Sequence, residues 1–554
     1  MKNDENNLST LIDYLQYYAD KFGDKPFISS CALDLTLKTR SFSEVFDTVT
    51  AFSRWLLHSG HETGEKALLI FADPADSLYA SLACMDAGIT IIPVAPPVSG
   101  SASELQKLEA VISDSGANFI LTSQSIKPMV QAFISASATA ASLPVICEAE
   151  RAGFPSSGKI ARSTDIMLLQ YTSGSTGKPK GIAITMDAMV LHLSLLKDMV
   201  LANSESVFLS WLPYYHDMGM IAMMFLPVFC GCRCILIPPQ LFMADPSVWL
   251  RAISAFKADI TGAPNFAYDL SLKSLHSMSG EELSRLDFSS LRRLFSGAEA
   301  INLTTLVQFC DEAKKYGLNR SSLLFAYGQA EATLVVSGYH ANQPISWIKL
   351  DREALKHQRV KVIEEGLFND LTTEHLADSD VYTYMPGNGP AYGAGHELLI
   401  LKPGDAESLR AYEVGEICLI GPCVAEGYYK NPAETAKHFS KTDDGRRLLR
   451  TGDLGFLNSN GELFITGRIK DIIIINGENF YPEDLEQTAY NSDERAIPLR
   501  TAAFAETLGA TERPVIVQEI SDDAFPHAQE IADAISRSLL NIHGIGNIKV
   551  VLTA

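Results

Sequence analysis

The first half of the chain alternates short apolar runs with segments of helical periodicity. "ALLIFA" (Ala67–Ala72), "ITIIPVAP" (Ile89–Pro96) and "NFILTS" (Asn118–Ser123) are such runs, and "SLYASLACMDAG" is one of the helical segments between them. Apolar runs of about four to eight residues between helices are typical of strands buried in a largely parallel sheet. The pattern therefore predicts a layered α/β fold.

The last part of the chain follows another pattern. "GELFITGRIKDIIIINGENFYPEDLEQ" predicts a hairpin-like pair of strands around Gly467–Asp471 and a helix that begins after Pro482. About 80 residues follow this turn, which is enough for a small α+β domain. We therefore expect a large domain at residues 1–468 and a small domain at residues 469–554, with Arg468–Asp471 as the linker.

Composition and charge narrow the class of protein. With 47% hydrophobic and 20% charged residues among 554, the chain has a globular composition. A formal net charge of −21 disfavours binding to the phosphates of nucleic acid. The N-terminal "MKNDENNLSTLIDYL" lacks the apolar segment of a signal peptide. The longest uncharged apolar stretch, Met218–Cys232, is shorter than the ~20 residues of a membrane span, so a cytoplasmic protein is expected.

The nine cysteines are scattered and odd in number, which is typical of reduced thiols. Cys230, Cys232 and Cys234 alternate and would share one face if they lay on a strand. A metal site would need further ligands, and no His or Cys pair stands nearby. Buried thiols are the favoured interpretation.

The loop "YTSGSTGKPKG" (Tyr171–Gly181) has the residues of a phosphate-binding loop. Its glycines allow close backbone approach, and its hydroxyls and Lys178 are donors for an anion. The alternative is a flexible surface turn. A nucleotide triphosphatase loop is excluded because Thr172 stands where glycine is required and Pro179 where Ser or Thr is required. The spacing of Gly174 and Gly177 does not complete a dinucleotide-binding motif either.

With four further motifs, this loop resembles the adenylate-forming superfamily of acyl-CoA synthetases, peptide-synthetase adenylation domains and luciferases. The motifs are "LFSGAEAI" (Leu294–Ile301), "FAYGQAEATL" (Phe325–Leu334), "LLRTGDLGFL" (Leu448–Leu457) and "GRIKDIIIINGENFYPEDLE" (Gly467–Glu486), in the expected order. The resemblance covers nearly the whole chain. It implies a large multi-subdomain N-terminal adenylation domain and a small mobile α+β C-terminal domain.

Within that superfamily the chain most resembles the fatty acyl-AMP ligases. "WLPYYHDMGMI" (Trp211–Ile221), "GAPNFAYDLSLK" (Gly262–Lys273) and Ala330 in "YGQAE" carry this similarity. The stretch from Glu331 to Gly387 is longer than in CoA-using relatives. The subgroup carries an insertion here, about 341–365 in this chain, which is thought to hinder the domain rotation needed for CoA transfer.

The resemblance implies a reaction of a medium- or long-chain fatty acid with ATP and Mg²⁺ that gives acyl-adenylate and pyrophosphate. The acyl group would then pass to the thiol of an acyl carrier protein, or of a carrier domain in a polyketide or peptide synthase. The implied phosphate-binding residues are Thr172, Ser173, Gly174, Ser175, Thr176, Gly177 and Lys178. Ser296, Gly297, Ala298, Glu299, Ala326, Tyr327, Gly328, Gln329 and Ala330 would surround the base, Thr176 and Glu331 would bind the metal, and Asp453 and Arg468 the ribose.

The resemblance places His216 near the acyl carboxylate, beside Met218, Gly219 and Phe266 as acyl-binding residues, and Lys470 at the domain hinge. Lys178, His216 and Glu331 are the expected catalytic set. Taken alone, His216 or the Met and aromatic residues around it would be ordinary core. The length of the acyl chain stays open, since each buried methylene contributes only about 0.8 kcal/mol.

The chain departs from the superfamily pattern at two places. Relatives end with a Gly-Lys motif whose lysine bridges the carboxylate and the α-phosphate, whereas this sequence stops at "NIKVVLTA" and Lys549 does not match. Either the sequence is truncated or adenylation by this form is impaired. "YMPGNG" (Tyr384–Gly389) also stands where relatives have another motif.

Two alternatives to a carrier-protein ligase therefore stay open. One is an ordinary fatty acyl-CoA synthetase, which the long stretch after Glu331 disfavours. The other is a non-catalytic protein that binds acyl-adenylate.

Overall fold

The structure is a computed structural model that describes residues 8–97, 100–137, 139–151, 153–156, 158–160, 162–172, 179–379, 381–475, 478–508 and 511–554. Its helices are α1 Leu11–Phe22, α2 Phe42–His58, α3 Pro74–Ala87, α4 Ala102–Ser115, α5 Lys127–Ser135, α6 Met186–Val200, α7 Leu226–Cys230, α8 Pro239–Ala244, α9 Ser247–Phe256, α10 Asn265–Ser277, α11 Gly280–Leu283, α12 Leu303–Ala313, α13 Arg352–Lys356, α14 Pro432–His438, α15 Pro482–Asn491 and α16 Ala528–His543. A π-helix covers Met218–Phe225.

The strands are β1 Pro26–Cys31, β2 Leu37–Ser41, β3 Lys66–Ile70, β4 Thr90–Pro93, β5 Phe119–Thr122, β6 Val145–Cys147, β7 Leu168–Thr172, β8 Lys180–Ile184, β9 Val207–Ser210, β10 Arg233–Leu236, β11 Ile260–Ala263, β12 Arg293–Ser296, β13 Leu323–Gly328, β14 Val335–Gly338, β15 Ser346–Asp351, β16 Val362–Leu367, β17 Tyr382–Pro386, β18 Glu397–Leu401, β19 Gly415–Ile420, β20 Phe439–Lys441, β21 Arg447–Leu457, β22 Leu463–Arg468, β23 Ile473–Ile475, β24 Glu478–Phe480, β25 Ala496–Leu508, β26 Thr511–Ile520 and β27 Lys549–Thr553.

Two mostly parallel sheets form the bulk of the fold. One has the order β6-β5-β3-β4-β7-β8 and the other the order β14-β13-β12-β11-β9-β10-β1-β2. Antiparallel pairs occur only at sheet ends, where β8, β14 and β2 pair with β7, β13 and β1. The apolar runs predicted as strands are β3, β4 and β5, each fully buried apart from Lys66. The layered α/β prediction is therefore confirmed, because a strand covered by helices on both faces must be apolar throughout.

The C-terminal part has its own hydrophobic core. Ile473, Leu485, Ile516, Ile531 and Leu539 are buried together between β23–β27 and the helices α15 and α16. The predicted helix after Pro482 is α15, but the predicted hairpin is wrong. Instead, β22 pairs with β21, and the hairpin is formed by β23 and β24, whose inner pair is Ile475 and Glu478.

The segment 341–365 contains an ordered strand and helix. It contributes β15, the central strand of the sheet β16-β15-β17, and then α13. Ile348, Leu350 and Leu355 are at most 2% exposed and pack with Phe456 of the five-stranded sheet and Tyr481 beyond Arg468. The segment therefore touches both the large and the small part of the fold.

The three alternating cysteines do not share one strand. Cys230 ends α7, Cys234 lies in β10, and Cys232 lies between these elements. All nine cysteines are unpaired and buried, as expected of structural thiols. Among the described helices, none combines the length and the apolar character that crossing a bilayer requires.

Candidate active site

A cavity of ≈450 Å³ lies at the carboxyl ends of β12 and β13. The eight-stranded sheet, helix α6, the π-helix and the strand β21 form its walls, and residues 468–471 lie at its rim. Ligands bind at such strand ends in open α/β sheets, because the loops that follow the strands diverge there. A pocket of this size suits a small molecule or cofactor.

Asp453 is the centre of a hydrogen-bond network at the polar end of this cavity. Its Oδ2 accepts the hydroxyl of Tyr327 at 2.5 Å, and its Oδ1 lies 2.8 Å from Nε of Arg468. Burial raises the pKa of Asp453, while Arg468 and Tyr327 oppose that shift by favouring the charged form. The carboxylate keeps free lone pairs on both oxygens, so it can still accept hydroxyls from a ligand.

Glu331 is a second buried carboxylate in the wall. It lies in a short 3₁₀ turn after β13, and its Oε1 accepts the hydroxyl of Tyr428 at 2.8 Å. Burial raises the pKa of Glu331, and the Tyr428 hydrogen bond opposes that shift. A buried carboxylate with one protein partner has acceptor capacity left for a cation or a donor.

The wall between these carboxylates is closely packed backbone with unpaired polar atoms. A Cβ on Gly328 would lie 1.9 Å from the carbonyl oxygen of Leu334, and one on Gly297 would lie 2.8 Å from that of Ala326. Ser296 Oγ and Gln329 Nε2 are buried without a hydrogen-bond partner among the described residues. Because unpaired buried polar atoms are costly, this wall is suited to a polar, flat ligand that supplies the missing partners.

His216 lines the cavity together with its neighbours Asp217 and Met218. Its Nδ1 lies 2.8 Å from Oδ1 of Asp217, and the same oxygen accepts the N–H of Met218, which begins the π-helix. Its side chain is 53% exposed, and although the surrounding protein partly desolvates the ring and opposes protonation, the hydrogen bond and charge of Asp217 outweigh this and raise the pKa of His216. π-Helices are frequent at functional sites.

The rest of the cavity is an apolar arm between α6 and the sheet. Helix α6 begins where the hydroxyl of Thr185 accepts the N–H of Ala188, and it buries one face against the sheet. That face presents Leu196 and Met199 to the cavity, at the spacing that places residues on one side of a helix. The residues that line the arm are Leu196, Met199, Val200, Phe208, Ala222, Leu226, Ile260, Phe295, Leu324, Leu334 and Val335.

Most of the residues singled out from the sequence meet at this cavity. Those that line it are Thr172, His216, Met218, Ser296, Gly297, Ala298, Ala326, Tyr327, Gly328, Gln329, Ala330, Glu331, Asp453, Arg468 and Lys470. The remaining predicted phosphate-binding residues, Ser173, Gly174, Ser175, Thr176, Gly177 and Lys178, lie outside the described residues.

Three predicted residues do not line the cavity. The carboxylate of Glu299 accepts the N–H of Phe266 at 2.6 Å, and the ring of Phe266 packs edge-on against Trp211. A Cβ on Gly219 would lie 2.1 Å from the carbonyl oxygen of Pro213, so this glycine permits a close backbone contact. These three residues shape the walls around the site.

The structure adds polar residues that the sequence did not reveal. Tyr428 and Glu416 come from loops and strands far from the motifs. Lys180, whose Nζ lies 2.5 Å from Oε1 of Glu434, stands inside a quoted motif, as do Thr451 and Asp217, so their place in the motifs could have identified them. No local pattern distinguishes Tyr428 or the lining residues of α6 from ordinary core.

The comparisons with known proteins agree with this geometry. The family model for AMP-binding enzymes matches residues 15–429. A medium-chain-fatty-acid–[acyl-carrier-protein] ligase of Moorena producens, JamA, is 31% identical over 98% of this chain and 91% of its own length. A putative fatty-acid–CoA ligase of Mycobacterium tuberculosis, fadD25, is 29% identical over 93% of this chain and 88% of its own.

Solved structures share the whole architecture. One from work on fatty acyl-adenylate ligases of E. coli and L. pneumophila superimposes with a TM-score of 0.86 at 25% identity, covering 99% of this chain and 94% of that one. The L. pneumophila fatty acyl-adenylate ligase in complex with acyl adenylate and pyrophosphate has a TM-score of 0.75 at 28% identity, covering 99% and 93%. The chain therefore belongs to the family of AMP-binding enzymes and is an adenylate-forming ligase.

Proposed function

We propose that this enzyme activates a medium- or long-chain fatty acid with ATP, releases pyrophosphate, and passes the acyl group to an acyl carrier protein rather than to CoA. The observation that carries this proposal is the shape of the cavity. Its polar end, with Asp453 and Glu331, continues without a break into the apolar arm beside α6. Such a cavity fits a ligand with a nucleotide at one end and an alkyl chain at the other. The naming of relatives as carrier-protein ligases supports the choice of acceptor.

Different residues of the cavity would bind the base, the ribose and the phosphates of the nucleotide. The ring of Tyr327 is fixed by its bond to Asp453 and offers a flat surface to adenine, while Asp453 accepts the ribose hydroxyls. Ser296 Oγ and Gln329 Nε2 are donors for the base. Thr172 ends β7 and lines the cavity, and we infer from the sequence motif that begins there that this end of the cavity receives the phosphates.

Mg²⁺ fits the donor set around Glu331. A hard cation of this kind is held by one or two carboxylates and by substrate phosphates, and Glu331 is a buried carboxylate with acceptor capacity to spare. When bound, the ion would neutralise charge on the phosphate oxygens. The Tyr428 hydroxyl holds the Glu331 side chain by a hydrogen bond to Oε1, which leaves Oε2 free for such a contact.

His216 is placed to receive the carboxylate of the acid. It lines the cavity beside Asp217, which favours its protonated form. A protonated imidazole draws the acid carboxylate toward the α-phosphate against the repulsion of two anions. The carboxylate oxygen then attacks the α-phosphorus, and the bond to pyrophosphate breaks.

We propose that the chain divides into domains at residues 1–468 and 469–554, with Lys470 as the hinge and residues about 341–365 as the insertion. The separate core around Ile516 and Ile535 supports this division. The position of Lys470 at the cavity rim means that a rotation there would alter the site. We also propose a cytoplasmic location, which the nine unpaired cysteines support.

The decisive test is ATP–pyrophosphate exchange with a panel of fatty acids. Exchange that depends on a fatty acid is expected, and its absence with every acid would contradict the proposal and favour a non-catalytic binder of acyl-adenylate. Supplying acyl carrier protein or CoA as acceptor separates a carrier-protein ligase from a CoA synthetase, a distinction that matters because one relative is named as a CoA ligase.

We expect a pH dependence of fatty-acid binding that is set by His216. The raised pKa keeps His216 protonated below that value, and the charge is lost as pH rises through it. KM for the fatty acid should therefore rise at high pH by about tenfold, the equivalent of one charged hydrogen bond. Asp217→Asn still accepts the Met218 N–H but removes the negative charge, so the rise in KM should begin at lower pH. Identical profiles for the two enzymes would exclude this role of His216.

A further inference from the structure

We propose, resting on the proposed function, that the preferred substrate is an unsubstituted medium-chain acid of about eight to twelve carbons, and that Val200, Phe208 and Ile260 set this limit as the floor of the apolar arm. The number of carbons is estimated from the distance between the nucleotide end and this floor, which is measured along the strands by their rise per residue.

The floor lies at the amino ends of the parallel strands. Ile260 is the first residue of β11, and it pairs with Phe208 of β9, so both side chains point to the same face of the sheet. The nucleotide end lies at the opposite edge, after Ser296 and Tyr327. Val200 is the last residue of α6 and lines the same cavity as Phe208 and Ile260.

The floor is closed to solvent. Ile260 is 0%, Phe208 1% and Val200 6% exposed. Met199, one helix position before Val200, is 2% exposed and also lines the arm. An alkyl chain that reaches these side chains therefore meets packed core, and a longer chain would have to displace it.

The register of the sheet gives the depth of the arm. Ile260 lies three residues before Ala263, and Ala263 pairs with Ser296. At about 3.3 Å per residue, the floor is about 10 Å below the level of Ser296. A C–C bond is about 1.5 Å long, and an extended alkyl chain advances by somewhat less than this for each carbon. About eight carbons therefore fill the depth between Ser296 and the floor. The part of the acid that lies above Ser296, toward its carboxylate, adds a few more carbons.

The lining of the deep end agrees with a plain tail. The side chains at the deep end of the cavity are aliphatic or phenyl groups, with Leu196 and Leu324 above the floor residues. A hydroxyl on the tail would lose its hydrogen bonds to water there without gaining a partner, which disfavours hydroxylated acids.

The test measures kcat/KM for AMP formation with saturated acids from C6 to C18 and with an ω-hydroxy acid of the best length. The intact enzyme should prefer a length within C8–C12, with each additional methylene up to the optimum raising kcat/KM about fourfold. Ile260→Ala should move the optimum to longer chains by about two carbons, and Val200→Phe should move it to shorter ones. Val207→Ala is the matched control, since Val207 precedes Phe208 on β9 and does not line the cavity.

The outcomes separate this inference from the proposed function. Turnover that is best with C16 or C18 acids, or an optimum that stays the same in both Ile260→Ala and Val200→Phe, would overturn the length limit and leave fatty-acid activation standing. Absence of turnover with every acid would remove the proposed function and this inference together. Thermal unfolding of each variant shows whether it is folded, and Val200→Phe, at a helix end, tests the floor independently if Ile260→Ala is unstable.

Discussion

Glu331→Ala and Asp453→Ala are each expected to lower acyl-adenylate formation by about ten- to a hundredfold while the enzyme stays folded. Asp453→Ala removes the proposed charged hydrogen bond to the ribose, and such bonds contribute about 1.5–3 kcal/mol. Glu331→Ala removes the proposed carboxylate ligand of Mg²⁺, and we expect a loss of similar size. Asp453→Ala should act mainly on KM for ATP, because Asp453 is the proposed acceptor of the ribose hydroxyls. Glu331→Ala should act mainly on kcat, because its contact strengthens as charge develops on the phosphates. ATP–pyrophosphate exchange at several ATP and Mg²⁺ concentrations measures both effects.

A matched control is available on the loop that carries Tyr428. Glu426 is a half-exposed carboxylate that pairs with Arg447 at 2.8 Å and does not line the cavity. Glu426→Ala should leave the exchange rate within about twofold, since surface ion pairs contribute little. Exchange rates in Glu331→Ala and Asp453→Ala that match this control would remove both residues from the nucleotide site.

The sequence revealed the nucleotide end of the site because its residues lie at the ends of individual strands. Ser296 ends β12 and Tyr327 lies next to the end of β13, so each motif joins a buried strand to a polar loop. Parallel pairing of these strands brings the motifs together without any further information. The layered fold was predictable for the same reason, since buried parallel strands are continuous apolar runs.

Long-range contacts could not be predicted in the same way. Tyr428 reaches Glu331 from 97 positions away, and Glu434 reaches Lys180 from 254. The lining residues of α6 follow the helical spacing of any core helix, so their sequence does not show that they face a cavity. The hairpin that we predicted at the wrong place could have been located from the sequence. Asn-Gly at 476–477 is a strong turn sequence, and it stands between Ile475 and Glu478, which pair in the structure.

We propose that the contact between α13 and the proposed small domain underlies the expected selectivity for carrier protein over CoA. Nζ of Lys356 donates to the carbonyl oxygen of His543 at 3.0 Å, and Nδ2 of Asn479 donates to that of Lys356 at 3.3 Å. Lys356 also lies over the ring of Phe480 at 5.2 Å. These bonds join the proposed insertion to the proposed small domain at one residue before α15 in the chain and at one residue after it. A rotation about the proposed hinge Lys470 would have to break both bonds.

The double variant Lys356→Ala/Asn479→Ala is therefore expected to gain acyl-CoA synthesis of about ten- to a hundredfold over the intact enzyme, which should make little or none. A charged hydrogen bond contributes about 1.5–3 kcal/mol, and a bias of about 3 kcal/mol changes the population of a pose more than a hundredfold. Point substitutions are preferable to removal of the segment, because Ile348, Leu350 and Leu355 are core residues whose loss would destabilise the fold.

Lys361→Ala is the matched control for the double variant. Lys361 belongs to the same segment, pairs with Asp351 at 2.7 Å, and has a side chain that is 64% exposed. It should leave acyl-CoA synthesis at the level of the intact enzyme, and all three proteins should form acyl-adenylate at similar rates. Efficient acyl-CoA synthesis by the intact enzyme would show that the junction is no barrier and assign the protein to the CoA synthetases. No gain in the double variant over Lys361→Ala would show that these bonds do not set the acceptor, since the remaining apolar contacts of Leu355 with Tyr481 would then suffice to hold the small domain.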